Sequence, residues 1–277
     1  MPSSRRLPVS SRHAFALAFD LAIRRDVLHS LLVPLLLRLP WIVGPALVTL
    51  AIPSISQSRL ALVQGVGQLF DFVVMVLVMA MLRFRARSVF NRPSGTEPAP
   101  VGECYSKGLR RTPALYLTEA LRNLAFTISF SMLVLPLLYL GFKLSLATEA
   151  VVLRGEGPRK AFTRSFHLTE ARFERWLEMV ALSVFLIVPL WFLMVACFFA
   201  VPGSTWNTWV MLGLVLTAAV LPIVQYAWTF FYLRLEESEA FALETAPVLV
   251  APAPAWRSGG VPRLRLVESE RDDATKN

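Results

Sequence analysis

The chain has 277 residues, 55% of them hydrophobic and 17% charged, with a mean hydropathy of +0.55. So little charge cannot cover the surface of a soluble domain of this length, and the apolar runs approach 20 residues, enough to cross about 30 Å of hydrocarbon. The net charge of +9 invites a nucleic-acid partner, but Lys and Arg lie in the stretches between apolar runs, as membrane orientation requires, so nucleic acid is set aside.

Residues 1–10 are polar. Residues 11–26 read as a helix with Ser11 as N-cap, carrying Phe15 and Phe19 on one face and Arg12, Asp20 and Arg24 as polar punctuation. It is too short and too charged to span, so an interfacial helix is expected. Residues 29–52 form the first expected span, in which Pro34, Pro40 and Pro45 are tolerable because neighbouring helices can satisfy the freed backbone groups. The second span is 61–82. A polar loop is expected over 83–112, with seven Lys and Arg, and Pro113 suits the first turn of a new helix.

Residues 113–153 are either one long helix or two spans meeting near 136–141. With six spans, 24 of the 28 Lys and Arg fall on one side and Arg59 alone on the other, while Arg38, Arg122 and Lys143 lie within spans. A five-span layout would move twelve of those charges across, so charge asymmetry favours six, with 137–153 as a short fourth span. Gly155 and Gly157 close that helix and Pro158 opens an amphipathic one over 158–168, with Ala161, Phe162, Ser165 and Phe166 on one face. Spans five and six follow at 177–201 and 210–232, joined by a turn with Trp206 and Trp209 as belt residues, and Arg234 stops the last.

The fold class expected is therefore all-α: a polytopic transmembrane bundle of about six spans plus short interfacial amphipathic helices. The divisions are a cytoplasmic N-terminus with an interfacial helix at 1–27, a membrane domain at 28–235, and an acidic, then Ala/Pro-rich cytoplasmic tail at 236–277 without the composition for a core.

Polar residues in the spans form stripes: Gln64, Gln68 and Asp71 on one face of the second; Glu119, Asn123, Thr127 and Ser131 in the third; Lys143, Ser145, Thr148 and Glu149 in the fourth; Thr217, Gln225 and Thr229 in the sixth. An ionisable group inside a span is expensive and asks for a reason. Arg38 and Asp71 fall near the midpoints of consecutive antiparallel spans, so the candidate intramembrane polar core is Arg38, Gln64, Gln68, Asp71, Glu119 and Asn123. It serves either as structural glue or as a polar pathway. Arg154, Arg159, Lys160, Arg164, Arg172 and Arg175 make a candidate basic surface for anionic headgroups. No nucleophile–base pair, phosphate-cradling glycine loop or metal-ligand spacing appears: Cys104, Cys197, His13, His29 and His167 are scattered. No cofactor and no catalytic residue is expected.

The stretch YLGFKLSLATEAVVLRGEGPRKAFTRSFHLTEARFER (139–175) and the closing FFYLRLEESEA (230–240), taken with the six-span layout, resemble the membrane domain associated with glycerophosphoryl diester phosphodiesterases and related six-span bacterial families of unknown function. The resemblance covers roughly residues 20–240. It departs at Phe166, where that family usually has Trp, and at Arg154, where an apolar residue is usual. It implies a bacterial inner-membrane bundle and no particular chemistry. The phosphodiesterase barrel that accompanies such domains finds no pattern in the roughly 40 residues after the last span. The expected role is a non-enzymatic scaffold, assembly or regulatory module in envelope or lipid physiology; the alternative is a small transporter or permease-like subunit. Expected partners are anionic lipid headgroups and a membrane-protein partner or second copy of the chain, with both termini cytoplasmic.

Overall fold

The computed structural model describes residues 10–52, 56–90, 92, 97–132, 134–170, 172–201 and 206–244. Among these, nine α-helices and no strand occur: α1 (Ser11–Phe19), α2 (Val33–Ala51), α3 (Gln57–Val89), α4 (Val101–Met132), α5 (Val134–Leu144), α6 (Ala147–Arg154), α7 (Pro158–Thr169), α8 (Phe173–Ala200) and α9 (Trp206–Glu244). Two π-helical segments, Asp20–Arg25 and Leu28–Leu32, join α1 to α2. Five stretches are long and apolar enough to cross a membrane: Leu28–Val48, Gln57–Val89, Pro136–Arg154, Phe173–Ala200 and Thr208–Phe241. The chain is thus an all-helical bundle of the multi-pass membrane type.

The third expected span, which is not among these five, falls on α4, whose composition is too polar for that group. Its surface explains why. Leu117, Leu121, Leu124 and Ile128 are exposed along one face, while Glu119 and Arg122 line a cavity from the other side. The helix is apolar outward and charged inward, so averaging over its length hides it. It runs antiparallel to α5 and α6, because Phe126 shares a cavity with Gly141 and Arg111 lies against Gly155.

Several boundaries differ from expectation. The loop expected over 83–112 is mostly helical: α3 continues to Val89 and α4 begins at Val101, with Pro113 inside it rather than at its first turn. Arg83 and Arg85 can stay helical because they point inward, only 4% and 2% exposed, towards acidic partners. Ser10, not Ser11, caps α1 by accepting from the His13 N–H at 3.4 Å. Ser11 is buried and donates to the Arg175 carbonyl. One face of α1 packs on the bundle: Ala14, Phe15 and Ala18 are buried in the core, against α9 and α8. The last helix does not stop at Arg234; α9 runs to Glu244, so the acidic start of the expected tail is helix. Residues 245–277 lie outside the described residues.

The expected fourth span is broken. Between α5 and α6 the chain turns at Ser145–Leu146, leaving backbone groups that a membrane interior cannot satisfy. Ser165 of α7 repairs the break: its Oγ donates to the Lys143 carbonyl at 2.6 Å and accepts from the Leu146 N–H at 3.2 Å. Beyond the break α6 is buried all round, from Ala147 to Leu153. It ends at Gly155, whose φ of +71° suits glycine alone without strain. The buried face of α7 is Ala161, Ser165, Leu168 and Thr169, so Phe166, expected on that face, is instead exposed.

One end of the bundle gathers the cations. Arg25, Arg87, Arg92, Arg110, Arg111, Arg154, Arg164, Arg172 and Arg175 all sit where α3, α6 and α9 end and α4, α7 and α8 begin. At the far end, where α2 ends and α3 begins, Arg59 is the one cation among the described residues.

Candidate functional site

The midpoint pair is formed. Arg38 of α2 donates from Nε to Asp71 Oδ1 at 2.8 Å and from its terminal nitrogen to Oδ2 at 2.7 Å, a two-point guanidinium–carboxylate contact. The two helices meet closely because Gly67 has no side chain: a Cβ there would lie 2.7 Å from Pro45 Cγ. Trp41 stacks on Phe70 at 4.6 Å beside them. Beyond the pair a cavity of about 690 Å³ opens between α2, α3 and α9. Arg38, Gln64, Gln68, Asp71 and Thr217 supply its polar wall, and Ile42, Pro45, Met75, Leu214 and Leu221 much of its apolar one. Neither Gln64 nor Gln68 makes a side-chain hydrogen bond among the described residues, and both are exposed to the cavity. Two unengaged amides beside an ion pair, framed by apolar walls, can bind a polar group attached to an apolar body.

Glu119 and Asn123 do not join this core. Glu119 pairs with Arg122 one turn along α4 at 2.5 Å and lines a separate cavity of about 410 Å³. Asn123 is exposed, away from both. In their place the second cavity holds a network that the stripes announced only in part. Glu149 of the buried α6 accepts from Arg83 Nε at 2.8 Å, from Gln225 Nε2 at 2.8 Å and from Thr229 Oγ1 at 3.2 Å, while Arg83 also donates to Thr148 at 2.9 Å. Thr148, Glu149, Gln225 and Thr229 were visible as polar punctuation in spans. Arg83 was not, since it follows an apolar run and reads as the start of a solvated loop. A second such arginine, Arg85, pairs with Asp26, and Ser30 meets the buried Tyr226 hydroxyl at 2.9 Å nearby. The cavities at Asp71 and Glu149 abut, with Met75 and Leu221 lining both.

In the basic stretch 154–175 four of the six cations meet an acid or a hydroxyl of the chain. Arg154 pairs with Glu236, and Arg164 reaches Glu236 at 3.4 Å and Glu239 at 3.7 Å. Arg172 donates to Ser238 at 3.0 Å, and Arg175 pairs with Glu178 at 3.2 Å. Glu236 and Glu239 of α9 take up Arg154 and Arg164, while Arg175 is paired within α8. Arg159 and Lys160 remain exposed without an ion pair among the described residues.

Among the described residues, no group of three or more His, Cys, Asp or Glu could hold a metal ion. No family model, curated protein or solved structure matches the chain, so nothing outside the chain bears on the resemblance to the phosphodiesterase-associated membrane domain.

Proposed function

We propose that this chain is a non-enzymatic, multi-pass module of a bacterial inner membrane that takes the polar head of an amphiphilic molecule into the cavity at Arg38 and Asp71. Of the two roles considered from sequence, this is the permease-like one. The observation that carries it is the free amides of Gln64 and Gln68 facing a space of about 690 Å³ inside a hydrophobic bundle. A structural ion pair does not need a chamber of that size, and unengaged amides in an apolar setting are costly unless something pairs with them. The scaffold reading draws on a different observation: the Arg83–Glu149 network satisfies its own members and leaves that charge no partner to seek.

The test is occupancy. Leu214 lies on the cavity wall and is 44% exposed. Leu214→Trp should fill the space without touching the ion pair. The full chain, purified in mild detergent, is expected to carry an amphiphile detectable by mass spectrometry, and the Trp variant to lose it at unchanged melting temperature. Identical co-purified molecules in both proteins would defeat the cavity reading and leave the scaffold.

A further inference from the structure

The stretch expected to be a polar loop holds seven cations, and the fold divides them: Arg83 and Arg85 turn inward, while Arg87, Arg92, Lys107, Arg110 and Arg111 line one open groove of about 1050 Å³. The groove lies at the basic end, between the end of α3, the start of α4 and the end of α6. We propose that it is a binding site for a phosphate group. Five cations face two carboxylates there, Glu97 and Glu103, and Glu103 is engaged by Lys107 at 2.5 Å. Arg92, Arg110 and Arg111 have no ion pair among the described residues, and all three are exposed. The contrast with the neighbouring 154–175 stretch is the argument. There Arg154, Arg164, Arg172 and Arg175 have each found an acid or a hydroxyl, and Arg159 and Lys160 are exposed on α7; here, on the same end of the same bundle, Arg92, Arg110 and Arg111 line one concavity without an ion pair among the described residues.

Guanidinium groups recognise phosphate through paired N–H donors, and several around one concavity select a group of more than one negative charge-bearing oxygen. The first turn of α4 opens into the same groove and adds its positive dipole end. Arg87 is anchored by donating to the Leu153 carbonyl at the end of α6, which holds its position in the wall. The floor is apolar, formed by Phe84, Val152 and Leu153, and Leu109 is 62% exposed beside Arg110. Basic pockets between transmembrane helices are suited to anionic headgroups, although a soluble phosphate offers the same oxygens. This site is at the opposite end of α3 from Gln64 and Gln68 and does not depend on the cavity reading.

The experiment uses the full chain in an uncharged detergent, with phosphatidylglycerol and inorganic phosphate as separate probes. Native mass spectrometry reads lipid retention, and the melting temperature reads phosphate binding and confirms folding of each variant. Arg110→Gln with Arg111→Gln is expected to weaken binding by about tenfold or more, whereas Arg12→Gln with Arg24→Gln, which removes the same charge from exposed positions before α2, leaves it unchanged. Lipid binding that excess inorganic phosphate does not displace assigns the site to a headgroup. Displacement, with phosphate alone raising the melting temperature, assigns it to a soluble phosphate. Equal losses in the two double variants, or binding of neither probe affected by the α4 pair, would overturn the proposal. Should the α4 double variant lack a melting transition, Arg111→Gln alone decides by the same comparison.

Discussion

Arg38 and Asp71 meet through two parallel hydrogen bonds at the middle of a hydrophobic bundle, where an unpaired charge has no water to turn to. Removing one partner strands the other, at a cost of about 3 kcal/mol or more; removing both costs less. Arg38→Met and Asp71→Leu are therefore expected each to lower the melting temperature in detergent, and the double variant to recover much of the loss, a coupling that a double-mutant cycle measures. Additive losses would mean that the contact contributes nothing. This pair was legible in the sequence because both charges interrupt apolar runs at matching depths on consecutive antiparallel segments. The Arg83–Glu149 pair was not, although it is the more deeply buried, with side chains 5% and 3% exposed. A charge at the edge of an apolar run carries no mark that tells an inward arginine from a solvated one. Only the helix continuing to Val89, and α6 being buried on every side, make the difference. The same ambiguity holds for the basic stretch 154–175, where sequence does not tell Arg154 and Arg164, which meet Glu236 and Glu239 of α9, from Arg159 and Lys160, which stay exposed.

Among the elements, the break between α5 and α6 depends on one hydroxyl. Ser165 is fully buried, and it closes both the Lys143 carbonyl and the Leu146 N–H. Ser165→Ala removes both bonds without changing the packing volume much, and leaving a buried amide unsatisfied costs about 1–3 kcal/mol. A lower melting temperature is expected, with a larger fall for Ser165→Val, whose extra methyl must enter the space of the turn. An unchanged melting temperature for Ser165→Ala would show that another group serves the break. From sequence, the short fourth span was recognisable by its length, and the amphipathic helix after it by its pattern. Their joint was not, since Ser165 lies 19 residues beyond the amide it caps. Boundaries failed for a related reason. Helices α3 and α9 run on past the apolar segment because tertiary ion pairs, invisible to a local window, satisfy the polar turns at their basic ends.

For the whole molecule, the chain enters and leaves the basic end repeatedly: α2 departs from it, α3 returns, α4 departs, α5 and α6 return, α8 departs and α9 returns. Contacts at that end record each return, through Arg87 with Leu153, Arg154 with Glu236, and Arg172 with Ser238. The all-helical membrane class was plain from composition alone; the number of crossings rested on charge, because α4 hides its apolar face behind inward Glu119 and Arg122. If α4 and the broken α5–α6 each cross, and the basic end is cytoplasmic as charge asymmetry requires, then residues 102 and 160 share one side and residue 58 takes the other. Cysteine labelling in intact cells tests this. Native Cys104 is buried, and burial pushes its thiol up against the lowering pull of Arg85, so it stays protonated and slow to alkylate at neutral pH. Cys197 is replaced by Ser to remove the other background thiol. Ser58→Cys is expected to react with an impermeant maleimide added outside, whereas Gly102→Cys and Lys160→Cys react only once the membrane is opened; all three native residues are exposed. External labelling at 160 with protection at 102 would mean that α5 and α6 do not complete a crossing, and would put the acids and arginines joining α6, α7 and α9 on the outer side. Labelling of 102 and 160 from outside with protection at 58 would keep the six passes and invert the molecule, which would overturn the assignment of the basic end to the cytoplasm.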